Sequence, residues 1–420
     1  RSSAASDVYK RQAEDATDLR IEILSDEEEA RLGYLAAINT STLQDGAVLE
    51  LGGGSMQLVP VHDRRPSALW SLPLGAVRLT ERFLPGGEPA KKKELERLRV
   101  HLREQLTDIL EEGSGDRLVG VGGAVRNLAA AAQRGTDQPD IGIQGFLLER
   151  EPLAELVERL ASLPAAERAE VPGIKHGRGD IVLAAAVTIE TVLEVGGLSG
   201  IEATEAGLRE GVFFDREMSR GRDPVFDDVR DMAVRNLAIQ YESDLDHVNH
   251  VATLALQMFD SLVEASLIKP RDGERELLWA AAMLHDVGMT ISYDDHHKHS
   301  RYLIVSAGLP GFDPRERALI AQISRYHRKG EPKLGEMAAL AKPGDEELVA
   351  RCAVVVRLAE HLERGRDQSV IRARLRTNGD GVDLHLEADG ENLVLPRWSV
   401  ERYGDDEAFE RVFGRRLLIG

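Results

Sequence analysis

A short segment near the start of the chain combines an acid, three consecutive glycines and a serine between two apolar stretches. The acid is Glu50, and the turn that follows it contains Gly52, Gly53, Gly54 and Ser55. Only glycine lets successive main-chain N–H groups approach an anion closely, so the segment is typical of a phosphate loop between two strands. Glu50 could hold a divalent metal ion against the phosphate, and Ser55 could donate a hydrogen bond. An ordinary glycine-rich hairpin is the alternative interpretation.

A hydrolytic phosphate site also needs a base that orients and deprotonates water, and Glu29 is the best candidate. Ser25 predicts a helix N-cap, and the acids at positions 26–29 suit the first turn of that helix. As the last of three successive glutamates, Glu29 could face the cleft while the two before it stay in water. The alternative is an acidic helix start that is solvated throughout.

A second glycine pair, Gly122 and Gly123, lies between an apolar stretch and a segment that we expect to be helical. The N terminus of a helix is a good anion site, so this pair could cradle another anionic or sugar group. Close packing of a helix against a strand explains the pair about as well.

Beyond a polar break at residues 219–224, the pattern is helical until a short terminal region. Here His285 and Asp286 are adjacent at a predicted helix end, with His250 before them and Glu360 after them. This arrangement is typical of helical metal phosphohydrolases of the HD type, in which imidazole and carboxylate groups point together into a bundle. His250, His285 and Asp286 are therefore candidate metal ligands.

Two segments of the helical half are rich in imidazole and guanidinium groups and could form a substrate channel. The candidate channel residues are His297, His299, Arg325, His327, Arg328 and Lys329. Such local clusters would be needed because the net charge of −19 disfavours long-range attraction of polyanions and argues against DNA as a partner. A solvated surface is the alternative interpretation of these segments.

The composition limits the class of protein and its compartment. With 420 residues, of which 42% are hydrophobic and 30% charged, the chain should form several globular domains. Its one cysteine, Cys352, excludes a disulfide framework and indicates a reducing compartment, for which we expect the cytoplasm. No apolar run approaches the roughly 18 residues of a membrane-spanning helix, so we expect no membrane insertion.

Several ordered segments resemble the Ppx/GppA family of exopolyphosphatases and guanosine pentaphosphate phosphohydrolases. The similarity runs from about Ile21 to the C terminus. The matching segments are 21–25, 28–32, 52–55, 71–78, 122–123, 207–212, 279–288, 309–312 and 325–329. The family's catalytic glutamate directly precedes Ala-Arg, which implies Glu29. Glu50 stands where the family usually has a magnesium-binding aspartate, and Gln57 stands where many members have a glutamate.

This resemblance implies an α/β plus all-α chain of four parts. The first two parts would belong to an actin/Hsp70-like (ribonuclease H-like) phosphatase domain. Residues 1–32 would be a remnant of its first half, and residues 33–218 would form its second half. An HD-like helical domain would follow at 219–375, and a small α+β C-terminal subdomain at 376–420. We expect residues 1 to about 12 to be foreign or disordered sequence that is not part of this fold.

Local patterns add two predictions of secondary structure. Residues 19–24 alternate enough for a short strand. Residues 382–386 and 392–395 are predicted to form a hairpin through the Asp-Gly pair at 389–390.

The resemblance further implies a magnesium-dependent, homodimeric hydrolase that releases terminal orthophosphate from inorganic polyphosphate. Removal of one phosphate from guanosine pentaphosphate (pppGpp, giving ppGpp) is an alternative, and a regulator that binds either compound without turnover is another. Because nothing before Ile21 matches the family's first phosphate loop, we expect the 420-residue chain to be inactive or nearly so.

Overall fold

The structure is a computed structural model that describes residues 3–110, 115–218, 223–388, 393–404 and 406–419. The chain divides into two compact units. Unit 1 contains residues 1–39, 43–128 and 147–225, and unit 2 contains residues 40–42, 129–146 and 226–420. Within the described ranges, every helix is too short or too polar to cross a membrane.

Unit 1 is built on one sheet with helices around it. Its strands are β1 (Gly46–Leu51), β2 (Met56–His62), β3 (Arg65–Pro66), β4 (Trp70–Leu72), β5 (Leu118–Val121), β6 (Leu147–Glu149) and β7 (Gly200–Ala203). The helices that begin in this part of the chain are α1 (Ser3–Thr17), α2 (Asp26–Ile38), α3 (Ala76–Phe83), α4 (Lys92–Leu110), α5 (Gly123–Arg134), α6 (Arg150–Ser162), α7 (Ala165–Arg168), α8 (Val182–Val195) and α9 (Leu208–Phe213). Short helical turns cover His176–Arg178 and Phe214–Met218.

The sheet is mixed, in the order β3-β2-β1-β5-β7-β6, and β4 pairs with β2. Strands β1 and β2 are antiparallel, whereas β1, β5 and β7 run parallel to one another. Because parallel strands end at the same edge, the loops that follow β1 and β5 are brought together there. This topology positions both glycine segments of the sequence analysis.

Helix α2 lies in the core of unit 1 rather than on its surface. After its acidic first turn, residues 32–38 are all buried, and they pack with apolar side chains of β1, β2 and β5. A helix that is apolar all round is expected only where the surrounding structure covers every side. The burial of α2 therefore holds its N-terminal turn firmly relative to the sheet.

Unit 2 is mainly helical and ends in a small sheet. Its helices are α10 (Val229–Gln240), α11 (Leu245–Glu264), α12 (Glu274–Leu284), α13 (His296–Ser306), α14 (Pro314–Arg325), α15 (Asp345–Leu362), α16 (Val394–Tyr403) and α17 (Asp406–Phe413). Its strands are β8 (Val370–Asn378), β9 (Gly381–Ala388) and β10 (Arg416–Ile419). Helix α15 is buried over most of its length and packs against α11, α12 and α14.

The α/β part followed by a helical part is confirmed, but two predicted strands are wrong. Residues 19–24 form no strand, and among the described residues no strand pairs with them. The terminal hairpin joins β8 to β9, with Asn378 opposite Gly381, and residues 394–395 begin α16. The predicted turn at 389–390 lies outside the described residues. Strand β8 also crosses the predicted boundary at 375/376, and both sides of it belong to unit 2.

Candidate functional site

The glycine turn predicted as a phosphate loop connects β1 to β2. The two strands pair with Glu50 opposite Gln57, which leaves residues 52–55 as the connection. In the described part of the chain, the main-chain N–H groups of residues 53–55 donate no hydrogen bond. These three donors are therefore available to an anion.

The carbonyl groups of the same turn are held by the N terminus of α3. The N–H groups of Ala76 and Val77 donate to the carbonyl oxygens of Gly52 and Gly53, both at 2.9 Å. Gly75 permits this contact, because a Cβ at that position would overlap the main chain of Gly53. The turn is thus fixed through its acceptors while its donors stay free.

The start of α2 divides its acids between a helix cap and the cleft. The Ser25 hydroxyl accepts a hydrogen bond from the Glu28 N–H at 3.2 Å, and the Glu28 carboxylate accepts one from the Ser25 N–H at 2.7 Å. Glu27 and Glu28 are exposed, whereas Glu29 is half-buried. The capping box therefore occupies Glu28 and leaves Glu29 for another role.

Gln57 connects Glu29 to the glycine turn. Its Nε2 donates to Glu29 Oε2 and to Ser55 Oγ, each at 2.9 Å. Burial, and then the charge of Asp26, raises the pKa of Glu29, although a hydrogen bond from Ser55 opposes this shift. A carboxylate with a raised pKa is a stronger base than an exposed one, which suits proton abstraction from water.

Glu50 extends from β1 into surroundings that do not compensate its charge. Its Oε2 is buried and finds no hydrogen-bond partner among the described residues. Burial, and then the charge of Glu29, raises the pKa of Glu50 to about 7, and Arg126 opposes this only in part. Helix α2 makes room for the side chain at Gly33, where a Cβ would lie 2.5 Å from Glu50 Oε2. A buried carboxylate oxygen that has no hydrogen-bond partner is suited to bind a cation.

The second glycine pair lies at the same sheet edge as the first. Strand β5 runs beside β1 with Val121 opposite Glu50, and Gly122 has a φ of +92°, which favours glycine. Helix α5 begins at Gly123 and directs the positive end of its dipole toward this edge. A cavity of about 150 Å³ is lined by residues of both segments. These residues include Glu50, Gly52, Gly53, Gly122, Gly123, Asn127 and Arg178.

Two polar residues of this cavity were missed in the sequence analysis. Asn127 Nδ2 donates to the Gly123 carbonyl at 2.5 Å, and Asn127 Oδ1 accepts from the Lys175 N–H at 2.7 Å. Arg178 brings its guanidinium group to 3.9 Å from the Cβ position of Gly123. A lone arginine far along the chain from the glycine pair carries no sequence signal, so only the fold identifies this cation.

The residues around Glu50 fit a hard divalent cation such as Mg²⁺, which prefers oxygen donors. Glu50 Oε2 and Gln57 Oε1 are both buried, and in the described ranges neither has a hydrogen-bond partner. Gln57 therefore offers an amide oxygen at the position where a second carboxylate was expected from the resemblance.

In unit 2 the structure brings His285 and Asp286 together but does not bring His250 to them. The Nε2 of His250 lies 2.8 Å from the Val370 carbonyl oxygen instead. His247, almost one turn earlier on α11, takes that place and lies 3.8 Å from Asp286. Residues three apart on an α-helix differ in direction by about 60°, which is enough to separate the two histidines.

The predicted channel residues of unit 2 do not share one exposed surface. His297 and His327 are buried, with 4% and 1% exposure, so neither can line an open channel in this structure. His327 lies 4.0 Å from Asp286 and therefore belongs with His285. The half-buried or exposed members are His299, Arg325, Arg328 and Lys329.

Comparison with known proteins identifies the class to which these two glycine segments and their acids belong. Residues 1–220 match the Ppx/GppA phosphatase family, and residues 229–396 match domain III of Ppx/GppA phosphatases. The chain belongs to the Ppx/GppA phosphatase family.

The chain is also similar to individual proteins. The chain is 26% identical over 388 residues to a guanosine-5'-triphosphate,3'-diphosphate pyrophosphatase from Vibrio vulnificus, covering 91% of this chain and 74% of that protein. Among solved structures, a Ppx/GppA family member from Aquifex aeolicus is 24% identical with a TM-score of 0.47, over 52% of this chain and 71% of its own. An exopolyphosphatase from Cytophaga hutchinsonii is 21% identical with a TM-score of 0.47, over 52% of this chain and 72% of its own.

Proposed function

We propose that the full-length protein hydrolyses a terminal phosphoanhydride bond, with Glu29 of unit 1 as the general base. The observation that carries this proposal is the link through Gln57, whose amide group hydrogen-bonds both to Glu29 and to the glycine turn. A base and a set of unused main-chain donors are thereby held a short distance apart. This is the arrangement that water attack on a bound phosphate requires.

In the proposed reaction, the terminal phosphate binds to the N–H groups of residues 53–55, the N terminus of α5 and Arg178. Glu29 orients a water molecule and accepts its proton while the water oxygen attacks the phosphorus atom. The bond from phosphorus to the bridging oxygen breaks, and that oxygen leaves with the electron pair on the remaining substrate. The products are orthophosphate and a substrate that is one phosphate shorter.

Glu50 and Gln57 would hold a magnesium ion, which supplies positive charge at the phosphate oxygens when bound. The chain contributes two buried oxygens without other partners and the space that Gly33 leaves for one of them. Ionised Glu50 would also be stabilised by such a cation, which reverses the effect of its burial.

The candidate substrates share a terminal phosphate, and the cavity suits that shared group. Its volume of about 150 Å³ has room for a phosphate group. The name of the Vibrio vulnificus relative favours pppGpp. Inorganic polyphosphate, the substrate that the family resemblance implied first, is the other candidate.

The decisive experiment measures orthophosphate release from pppGpp and from long-chain polyphosphate by the full-length protein. Glu29→Gln should lower release from the preferred substrate at least about 100-fold, because it removes the base without changing the size of the side chain. Glu27→Gln is the matched control on the same helix turn and should retain full activity.

Substrate binding without release, at an affinity that Glu29→Gln does not change, would instead identify a regulator. Equal loss of activity in the Glu27 and Glu29 variants would also remove Glu29 from the proposed role.

A further inference from the structure

Six side chains of metal-ligand type, Asp286 among them, converge at one place in unit 2. They come from five different helical segments and, with the exception of Glu360, are buried. The six residues are His247 on α11, His285 and Asp286 after α12, His296 at the start of α13, His327 after α14 and Glu360 on α15. Distant parts of the sequence therefore supply one polar cluster inside an otherwise apolar core.

Three of these residues, His247, His285 and Glu360, have nearly the spacing of a coordination shell. Glu360 Oε2 lies 3.0 Å from His247 Nε2 and 3.2 Å from His285 Nε2. Asp286 lies farther out, with its Oδ2 3.8 Å from His247 Nε2 and its Oδ1 3.6 Å from His285 Nε2. Ligand atoms bound about 2.1 Å from a metal ion are about 3.0 to 3.4 Å apart in octahedral or tetrahedral geometry. A small contraction would give three donors around one ion.

In three of the histidines, a hydrogen bond at Nδ1 determines that the Nε2 facing the cluster carries a lone pair. The Nδ1 atoms of His285, His296 and His327 lie 2.6 to 2.9 Å from main-chain carbonyl oxygens. A carbonyl oxygen only accepts, so each Nδ1 carries a hydrogen, and each neutral ring presents the lone pair of its Nε2 to the cluster. This orientation is the one that metal-binding histidines commonly have.

These lone pairs meet other acceptors at short range. His296 Nε2 and His327 Nε2 are 3.0 Å apart, and His285 Nε2 faces the Glu360 oxygen. Two acceptors at such a distance repel each other unless a proton or a metal ion lies between them. Arg366 donates to Asp286 Oδ2 at 3.1 Å, but it supplies a single positive charge against two carboxylates.

We propose that this cluster binds a divalent transition metal ion through His247, His285 and Glu360, with Asp286 beside them. His296 and His327 lie next to Asp286 Oδ1, at 3.3 and 4.0 Å, and offer two further nitrogen donors. Imidazole and carboxylate groups together suit Zn²⁺, Mn²⁺ or Fe²⁺, whereas Mg²⁺ prefers oxygen donors alone. The site is built within unit 2 and does not depend on the proposed hydrolysis in unit 1.

Cobalt(II) provides a direct test, because its visible absorption reports the ligands that surround it. The full-length protein, without a histidine tag and with Glu50→Gln to remove the candidate magnesium ligand, is titrated with Co²⁺ at neutral pH. We expect saturable binding with an absorption band typical of nitrogen and oxygen ligands. Zn²⁺ should displace the bound Co²⁺, whereas the same concentration of Mg²⁺ should not.

Two variants in this background identify the ligands. Glu360→Gln keeps the size of a partly exposed side chain and should weaken Co²⁺ binding at least about 10-fold. His250→Asn is the matched control, since it removes a histidine on α11 that lies outside the cluster, and it should bind Co²⁺ like the parent protein. Circular dichroism establishes that each variant is folded.

Absence of Co²⁺ and Zn²⁺ binding by the folded parent protein would overturn the proposal and leave protons as the cations of the cluster. Equal weakening by Glu360→Gln and His250→Asn would overturn it as well, because the metal would then bind elsewhere.

Discussion

Glu50 carries a buried charge that the surrounding protein does not compensate. Burial and the neighbouring Glu29 raise its pKa to about 7 from a usual value of 4.5. Between these two pH values, the folded protein binds the proton more tightly than the unfolded chain does. The stability that the protonated side chain confers is therefore fully present below pH 4.5 and is lost as the pH rises to about 7.

Replacement of Glu50 by Gln should remove this loss. At pH 8 we expect the free energy of unfolding to increase by about 2 to 3 kcal/mol, whereas at pH 4 it should hardly change. Urea denaturation at the two pH values measures both quantities. Glu27→Gln, which alters an exposed acid, should change neither, and destabilisation of Glu50→Gln at pH 8 would contradict the argument.

The same substitution should abolish Mg²⁺ binding in unit 1, because it removes the candidate carboxylate ligand. Isothermal titration with Mg²⁺ tests this outcome. Stability and binding would then change in opposite directions, as is common for residues retained for function.

At the scale of elements, α2 and β1 meet where Gly33 makes room for Glu50. Gly33→Ala should place a Cβ where Glu50 Oε2 lies and displace that carboxylate. Because alanine favours the helix by about 0.5 to 1 kcal/mol, the protein should remain at least as stable. Phosphate release should nevertheless fall roughly 10- to 100-fold, as expected for misplacement by about 1 Å.

Activity and urea denaturation of Gly33→Ala should therefore be measured together. Gly86→Ala is a suitable control, since a Cβ at that exposed position meets nothing within 4 Å. Full activity of Gly33→Ala would show that the position of Glu50 does not limit the reaction.

A substitution at the contact between α3 and the glycine turn should have a different effect from Gly33→Ala. A Cβ at Gly75 would overlap main-chain atoms of Gly53, which cannot move aside as a side chain can. Gly75→Ala should therefore lower both the free energy of unfolding, by about 1 to 3 kcal/mol, and phosphate release. If denaturation shows unchanged stability and activity is normal, α3 does not hold the turn in the way described.

Individual helices and strands could be predicted where a local sequence pattern, such as an N-cap, indicates them. The N-cap of α2 was predicted correctly from Ser25 and the acids after it. Strand β8 was missed although its arginines alternate with apolar residues, which is a strand-like pattern. The segment at 19–24 has a strand-like pattern but lacks a partner, and a strand is stable only when paired.

At the scale of the whole molecule, the net charge of −19 opposes the approach of any polyanionic substrate. This repulsion acts over about 30 Å at 10 mM salt and over about 10 Å at 100 mM salt. We therefore expect kcat/KM for polyphosphate to rise about two- to threefold between these salt concentrations. A steep fall in kcat/KM would show instead that local basic groups control substrate capture.

The amino-acid order alone was sufficient for the features that depend on neighbours along the chain. These are the glycine turn after Glu50, the helix start before Glu29, and the change from an α/β part to a helical part. Each arises from short-range preferences for turns, caps and periodic burial, which a single sequence displays directly.

Contacts between distant segments could be found only in the folded molecule. Gln57 joins Glu29 to the turn, Arg178 enters the cavity from far along the chain, and His247 replaces His250 beside Asp286. The reason is physical: a side chain's direction in space depends on how whole helices and strands pack. An error of a fraction of a helical turn, invisible in the sequence, changes which residue reaches the site.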